Sequence, residues 1–217
     1  MRAVAIDGPA GAGKTTVARA VADKLGWSYV DTGAMYRTLA LAVLVEHADP
    51  HDPAAVTEVA ERVDIDASEG APTLGGRFVG DRIREPDVTQ ASAVVSQHPA
   101  ARGVLVALQR RAAHKGNVVM EGRDIGTVVL PEADVKVFLT ATLEQRAARR
   151  VQETSDAVEP AAIRSDIAER DRSDQEREIS PLKRAPGAVV IDTTDKTIDQ
   201  VVDEIVELVF RSQQEEG

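Results

Sequence analysis

Residues 3–15 read Ala-Val-Ala-Ile-Asp-Gly-Pro-Ala-Gly-Ala-Gly-Lys-Thr, and this stretch decides the fold. Its first five residues form a short apolar run that ends in aspartate, as expected of a buried parallel strand. After the glycines, Val17, Val21 and Leu25 fall on one stripe at helical spacing, and Gly26 marks the end of that helix. The stretch therefore predicts a strand, a glycine-rich turn and a helix in direct succession.

The turn between that strand and helix matches the pattern G-x-x-x-x-G-K-[ST] of phosphate-binding loops. Glycines let consecutive backbone N–H groups surround a phosphate, and the helix that begins near Lys14 points its positive end at the same anion. Lys14 adds a charge for the β- and γ-phosphates, and the Thr15 hydroxyl is a ligand for Mg²⁺. We therefore predict an ATP·Mg²⁺ site, with Thr15 as the metal ligand, formed by Gly8, Pro9, Ala10, Gly11, Ala12, Gly13, Lys14, Thr15 and Thr16.

The rest of the chain alternates strands and helices, which indicates an α/β fold of the three-layer P-loop type with a parallel sheet at its core. The predicted strands are 28–30, 118–121, 135–140 and 189–192, and the predicted helices are 35–46, 101–113, 143–153 and 198–210. Turn residues and clustered glycines interrupt this order. We divide the chain into a core of residues 1–33, 101–153 and 186–217, an insert of 34–100 with its own small sheet and helices, and a lid of 154–185.

The composition fits a soluble globular domain. Of the 217 residues, 43% are hydrophobic and 29% are charged, and the formal net charge is −10, which argues against a protein that coats nucleic acid. The absence of cysteine excludes disulfides and thiolate metal sites. The first apolar run is too short for a signal peptide, and no run reaches transmembrane length, so we expect a cytoplasmic enzyme with no membrane partner.

The phosphate-binding loop leaves the phosphoryl acceptor open. A switch GTPase would need an N/T-K-x-D segment, which the sequence lacks, and motor or transporter ATPases are generally larger. Small kinases remain, in which arginines align the phosphates and neutralise their charge. Arg37 follows a strand end, Arg102 opens a helix and Arg123 comes directly after the strand 118–121. The sequence favours a functional role for Arg123, whereas Arg37 and Arg102 taken individually are also compatible with solvated surface charges, as most arginines are.

Glu121, the last residue of its predicted strand, has two interpretations. It is either a carboxylate that acts on Mg²⁺ through water or a carboxylate that packs at the end of a strand. The charged segment after residue 145 is rich in arginine, and we interpret it as a mobile lid that brings arginines over the phosphates. Arg146, Arg149 and Arg150 are predicted to share one helical face, and so are Arg170, Asp174 and Arg177. The four histidines, at 47, 51, 98 and 114, lie near no motif.

Several blocks of the sequence resemble the bacterial cytidylate kinases, the CMP/dCMP kinases, nearly from end to end. The blocks are Ile6-Asp-Gly-Pro-Ala-Gly-Ala-Gly-Lys-Thr, Asp31-Thr-Gly-Ala-Met-Tyr-Arg37, Glu121-Gly-Arg-Asp-Ile-Gly-Thr-Val-Val129, Arg170-Asp171 with Asp174 and Arg177, Ser180-Pro-Leu182, and Ile191-Asp-Thr-Thr. The second and third blocks separate this family from the adenylate, guanylate and shikimate kinases. The resemblance implies that the insert binds the nucleoside monophosphate, that the lid carries arginines and that the enzyme is a monomer.

The resemblance also implies roles for particular residues. Thr32 and Asp174 would lie near the acceptor sugar, and Arg37, Arg123 and Arg177 would bind the acceptor phosphate. Arg102 and Asp124 would read the cytosine edge. Arg170 would reach the transferring phosphoryl group. Cytosine suits the Arg102–Asp124 pair because it offers an N4 donor to a carboxylate and O2 and N3 acceptors to a guanidinium. We take Lys14, Arg123 and Arg170 as the catalytic residues. Ala93, with Ser92 beside it, stands where the family commonly has a serine.

The predicted reaction is therefore the transfer of the γ-phosphoryl group of ATP to CMP or dCMP, with Mg²⁺. Two alternatives stay open at this point. One is a kinase for another monophosphate, such as UMP, which the Arg102–Asp124 pair would decide. The other is a switch or assembly protein that uses ATP only for a conformational change and is indifferent to monophosphates.

Overall fold

The computed structural model describes residues 2–68, 70–153 and 159–215. Its strands are β1 Ala3–Asp7, β2 Ser28–Asp31, β3 Ile65–Asp66, β4 Thr73–Leu74, β5 Arg77–Phe78, β6 Val118–Gly122, β7 Val135–Thr140 and β8 Val189–Asp192. Its α-helices are α1 Lys14–Leu25, α2 Thr32–Val45, α3 Pro53–Arg62, α4 Pro86–Val95, α5 Pro99–Ala113, α6 Leu143–Glu153, α7 Pro160–Glu176 and α8 Ile198–Glu215. A 3₁₀-helix spans Gly80–Arg84 and a π-helix spans Ile125–Val129.

The chain divides into two compact units. The first unit is Ser28–Val118, and the second unit combines Arg2–Trp27 with the residues from Val119 onward.

In the second unit, four strands pair in the order β6-β1-β7-β8. The pairs β1–β7 and β7–β8 are parallel, with Val4 opposite Val135 and Val137 opposite Val189. All five residues of β1 are buried, as expected of a strand covered on both faces of a parallel sheet. Helix α1 packs against α8, and α6 packs against α7. The predicted α/β fold with a parallel sheet is confirmed.

The first unit is built from helices and a small sheet. Strands β3, β4 and β5 form an antiparallel sheet in that order. Helix α2 packs against α4, and α3 packs against α5. Asp52 caps α3, because its carboxylate accepts hydrogen bonds from the N–H groups of Ala54 and Ala55.

Some predicted bounds differ from the structure. Helix α2 begins at Thr32 instead of 35, because the Asp31 carboxylate accepts a hydrogen bond from the Ala34 N–H at 2.7 Å and so caps the helix earlier. Helix α8 continues beyond Phe210 to Glu215, where no glycine or proline stops it. Strands β7 and β8 and helix α6 have the predicted bounds. The division into core, insert and lid stays a prediction, and residues 154–158 of that lid lie outside the described residues.

Candidate functional site

The phosphate-binding loop joins the end of β1 to the start of α1. Helix α1 begins at Lys14, and Gly13 precedes it in the left-handed conformation with φ +86°. At Gly8, φ is +155°, and an added Cβ would lie 2.2 Å from the carbonyl oxygen of Leu139 on β7. Only glycine fits there, so the neighbouring strand shapes the beginning of the loop. The resulting backbone leads into the N-terminus of α1, where unpaired N–H groups attract an anion.

Lys14 is buried within this loop, with 6% of its surface exposed. Its Nζ donates a hydrogen bond to the Pro9 carbonyl oxygen at 2.8 Å. Burial, together with the charge of Arg123, lowers the pKa of Lys14 to about 7, and the Glu121 carboxylate acts in the opposite direction. The neutral amine form of Lys14 is therefore substantially populated near pH 7, and it gains a proton when a polyanion enters the loop.

Thr15 and Glu121 bring hard oxygen atoms together beside the loop. The Thr15 hydroxyl donates to Glu121 Oε1 at 2.6 Å, and Glu121 is 5% exposed at the end of β6. A hydroxyl and a carboxylate are donors that Mg²⁺ accepts, since this ion prefers oxygen ligands and keeps several waters. In the described part of the chain, no group of three or more His, Cys, Asp or Glu side chains is arranged to hold a metal ion. The pair thus fits a magnesium ion that takes its other ligands from water and phosphate.

Asp7 is a site residue that the sequence reasoning missed. Its two carboxylate oxygens accept hydrogen bonds from the N–H groups of Ile125 and Gly126, both at 2.8 Å. Burial raises the pKa of Asp7 to about 6, although these two hydrogen bonds oppose the rise. The contact fixes the start of the π-helix and thereby the backbone next to Asp124. The available signal was an aspartate at the carboxyl end of a buried strand, directly before the loop.

The Asp174 carboxylate contacts two arginines that are predicted to bind phosphate. Arg123 Nε donates to Asp174 Oδ2 at 2.7 Å, and Arg177 Nη1 lies 3.8 Å from Asp174 Oδ1. Burial acts to raise the pKa of Asp174, but the charges of Arg123 and Arg177 help to outweigh it, so the pKa lies below its ordinary value. The carboxylate stays ionised and holds both guanidinium groups in place.

The single helical face predicted for Arg170, Asp174 and Arg177 is wrong for its last member. Helix α7 ends at Glu176, and Arg177 has an extended backbone with φ −58° and ψ 137°. The chain turns back there, since the Leu182 N–H donates to the Asp174 carbonyl oxygen at 2.7 Å. Arg177 reaches Asp174 from this turn, and Arg170 lies one helical turn before Asp174 on an exposed part of α7.

Two further arginines contact the edge of the loop region. Arg149 Nη2 donates to the Thr193 carbonyl oxygen at 2.6 Å, and the Thr193 hydroxyl donates to the carbonyl oxygen of Ala12 at 3.3 Å. Arg146 forms an ion pair with Asp171 of α7. The sequence reasoning assigned no role to Thr193 or Asp171, although both lie within or next to the blocks that carry the resemblance.

In the first unit, Arg37 lies beside the N-terminus of α2. Its Nη2 is 3.3 Å from Asp31 Oδ2, and Thr32, the first residue of α2, is 3% exposed. Within the described residues, the buried Nε of Arg37 has no hydrogen-bond partner. A buried guanidinium nitrogen of this kind is a ready donor for an anion.

Arg102 also belongs to the first unit and is 3% exposed in the first turn of α5. Its Nη1 donates to the Ser96 carbonyl oxygen at 3.1 Å, and its guanidinium lies 5.2 Å from the centre of the Tyr36 ring. This planar group is held by stacking and burial, which is not the state of a solvated surface charge. On α4, Ser92 is half-buried and Ala93 is exposed.

The predicted site residues thus fall into two sets. The second unit holds the loop residues 8–16, Glu121, Arg123, Asp124, Arg170, Asp174 and Arg177, and the first unit holds Thr32, Arg37 and Arg102. Asp124 is 5% exposed in the second unit. Of the histidines, His98 is half-buried and contacts the Pro50 carbonyl oxygen, and the other three are exposed.

The sequence is similar to known proteins over nearly its whole length. A family model described as cytidylate kinase matches residues 4–211. A cytidylate kinase of Caldanaerobacter subterraneus subsp. tengcongensis is 47% identical over 212 residues, which cover 96% of this chain and 95% of that protein. A cytidylate kinase of Bacillus cereus is 45% identical over 213 residues, with 95% of both chains covered.

Solved structures support the fold. A shikimate kinase from Bacteroides thetaiotaomicron, 14% identical, superposes with a TM-score of 0.51 over 96% of this chain and 98% of that chain. An uncharacterized protein from Eubacterium ventriosum, 13% identical, gives a TM-score of 0.52 over 95% and 97%. Because the family model and both relatives extend over nearly the whole sequence, the chain belongs to the cytidylate kinase family.

Proposed function

We propose that this protein is an ATP-dependent phosphotransferase that converts CMP or dCMP to CDP or dCDP. The observation that carries the proposal is the family match over residues 4–211, in a chain whose β1–loop–α1 segment holds a buried lysine within a phosphate-binding loop. Transfer is in line, from the γ-phosphate of ATP to the acceptor phosphate, without a covalent intermediate. The acceptor is already ionised at neutral pH, so no general base is needed.

Residues 8–16 bind the phosphates of ATP in this proposal. Backbone N–H groups of the loop and the N-terminus of α1 face the anion, and the positive charge of Lys14 attracts the β- and γ-phosphates. Thr15 and, through water, Glu121 hold Mg²⁺, with the 2.6 Å contact between them as support. When bound, the ion neutralises charge on the phosphate oxygens.

The acceptor side is assigned from the family resemblance and the contacts within each unit. Arg37, Arg123 and Arg177 bind the acceptor phosphate, supported by the buried donor of Arg37 and by the Asp174 cluster. Thr32 and Asp174 bind the sugar. Arg102 and Asp124 read the cytosine edge, since both side chains are buried and of the chemistry that cytosine requires.

Arg170 completes the catalytic set with Lys14 and Arg123. As part of a lid at 154–185, it approaches the transferring phosphoryl group when the lid and the insert close and exclude water. The pKa of Lys14 is lowered by burial, by the charge of Arg123 and, to a smaller extent, by the charge of Arg170. Three cationic groups near one point suit the negative charge that develops in transfer.

The test is ADP release from ATP·Mg²⁺ with CMP, dCMP, UMP, AMP and GMP as separate acceptors. Strong turnover with the two cytidine nucleotides alone is expected. Turnover with another monophosphate would keep the kinase and overturn the roles of Arg102 and Asp124. A protein that no monophosphate stimulates would overturn the proposal.

The surroundings of the enzyme follow from the same proposal. We expect a cytoplasmic monomer whose partners are its small-molecule substrates and not nucleic acid. Among the described residues, no helix has the length and apolar character that crossing a bilayer requires.

A further inference from the structure

Arg146 and Asp171 form a nearly buried ion pair between α6 and α7. Their side chains are 9% and 13% exposed, and Arg146 Nη1 donates to Asp171 Oδ2. Neither residue has a place in the phosphate-binding pattern or in the acceptor set. Burial of two charged groups raises the free energy unless their remaining lone pairs and N–H groups also form hydrogen bonds. Both members of this ion pair make such further hydrogen bonds.

Those further hydrogen bonds go to the phosphate-binding loop. Asp171 Oδ1 accepts from the Ala10 N–H at 3.2 Å, and Arg146 Nη1 donates to the Ala10 carbonyl oxygen at 3.0 Å. Arg146 Nε donates to the Ala141 carbonyl oxygen at 3.1 Å. The ion pair therefore binds both the backbone N–H and the carbonyl oxygen of one loop residue, Ala10.

The loop and α6 also touch directly at the next residue. A Cβ added to Gly11 would lie 3.0 Å from Arg146 Cβ and 3.2 Å from the Arg146 carbonyl oxygen. Helix α6 thus packs against the loop backbone at Gly11, and Lys14 donates a hydrogen bond to Pro9 within the same loop. The position of the loop backbone depends on the helix that carries Arg146.

The same contact sets the position of α7. Asp171 follows Arg170 directly in the chain and lies one helical turn before Asp174, whose carboxylate holds Arg123. A shift of Asp171 relative to Ala10 would displace its two functional neighbours by a similar distance. A misplacement of about 1 Å can lower the rate of a transfer reaction by about 100-fold.

We propose that Asp171 and Arg146 are positioning residues that hold the phosphate-binding loop and α7 in register, so that Arg170 is presented to the phosphoryl group. This proposal rests on the proposed function, since it assigns a task to the same site. The pair touches the loop and not the acceptor residues. Its loss is therefore expected to lower kcat and to allow ATP hydrolysis by water, while KM for CMP changes little.

The chain offers a matched control between the same two helices. Glu144 of α6 and Arg164 of α7 form an exposed ion pair, 3.2 Å apart, with side chains 70% and 57% exposed. Within the part of the chain that the structure describes, neither side chain hydrogen-bonds to the loop. Glu144→Gln removes an ion pair between α6 and α7 and leaves the hydrogen bonds to Ala10 in place. It therefore reports the loss of this helix–helix contact together with the electrostatic attraction between Glu144 and Arg146.

The experiment compares wild type, Asp171→Asn, Arg146→Lys, the double variant and Glu144→Gln. For each, kcat, KM for ATP and CMP, ATP hydrolysis without CMP, and the unfolding midpoint are measured. Asp171→Asn keeps an acceptor for the Ala10 N–H but loses the charge that faces Arg146, and kcat should fall about 10- to 100-fold. KM for CMP should stay within about twofold, and the double variant should be no slower than the slower single variant.

Arg146→Lys keeps the positive charge but loses the planar fork to two carbonyl oxygens, and it should give an intermediate kcat. It also serves as the second variant if Asp171→Asn does not fold. Glu144→Gln should match wild type.

A wild-type kcat in Asp171→Asn, or an equal loss in Glu144→Gln, would overturn the positioning role while CMP turnover by the wild type keeps the proposed function. A wild type without CMP turnover would overturn both.

Discussion

Binding of ATP is predicted to make Lys14 take up a proton. In the structure, burial and the charge of Arg123 hold the pKa of Lys14 at about 7, against 10.5 for an ordinary lysine. Phosphates in the loop would reverse this effect, because a nearby anion favours the ammonium. The perturbation is therefore the ligand itself, and the observable is the number of protons that accompany it.

The magnitude of the effect follows from the pKa of Lys14. At pH 8.5, an amine with a pKa near 7 is only roughly 3% protonated, so its full protonation in the complex takes up about one proton. Between pH 7 and pH 8.5, the same linkage raises the dissociation constant of ATP by roughly 15-fold. The sign is fixed by the direction of the shift: the free protein binds fewer protons than the complex, so affinity falls as the pH rises above about 7.

Isothermal titration at pH 8.5 in Tris and in bicine, whose ionisation enthalpies differ, gives the proton count directly. At this pH the phosphates of ATP are fully ionised and add no protons of their own. Lys14→Arg is the control, since a guanidinium stays charged in both states and should show no uptake. An absence of proton uptake by the wild type, or equal uptake in Lys14→Arg, would refute the reasoning.

Three more predictions concern the residues around the loop. Thr15→Val, which loses the hydroxyl, should raise the Mg²⁺ concentration for half-maximal activity by about tenfold or more, whereas Thr15→Ser should not. Gly8→Ala should lower the free energy of unfolding by about 3 kcal/mol or more in a urea titration, because its Cβ would lie 2.2 Å from a carbonyl oxygen. Gly26→Ala, which also has a positive φ but open space around it, should lower it by only about 1 kcal/mol. Asp7→Asn should lower it by about 1–3 kcal/mol, since its NH₂ group would face one of the two N–H groups that Asp7 now accepts from.

Each of these has an outcome that contradicts it. An unchanged Mg²⁺ requirement in Thr15→Val would remove the hydroxyl from the metal site. Equal losses in Gly8→Ala and Gly26→Ala would mean that the close approach to β7 is relaxed without cost. A wild-type stability in Asp7→Asn would show that the π-helix is held by other contacts.

The order of strands and helices in the predicted core was predictable, because each of them depends on a local sequence pattern. Hydrophobic period and turn residues define strands β1, β7 and β8 and helix α6 at their observed ends. The end of α7 was not predictable in this way. Its arginines continue at helical spacing through Arg177, but a contact between Leu182 and Asp174 turns the chain after Glu176.

The residues of the candidate site also differ in whether the sequence could identify them. The loop residues could be identified from spacing alone, since a phosphate cradle needs glycine, lysine and threonine at fixed local offsets. The contacts of Asp7 and Asp171 could not be predicted, because the position of an aspartate in a sequence carries no information about which backbone N–H groups it will meet. Their importance comes from Ile125, Gly126 and Ala10, which the fold brings to them.

By itself, the sequence determined the strand–loop–helix that defines the class, and the blocks that place the chain in its family. Both are local patterns, and a pattern within about ten residues can be recognised without knowing how the rest of the chain packs. Only the tertiary structure decided that Thr15 meets Glu121, 106 residues away, and that Ala10 is held by Asp171, 161 residues away. It alone also lowered the pKa of Lys14, because burial and the approach of a second cation arise only when distant segments pack around the loop.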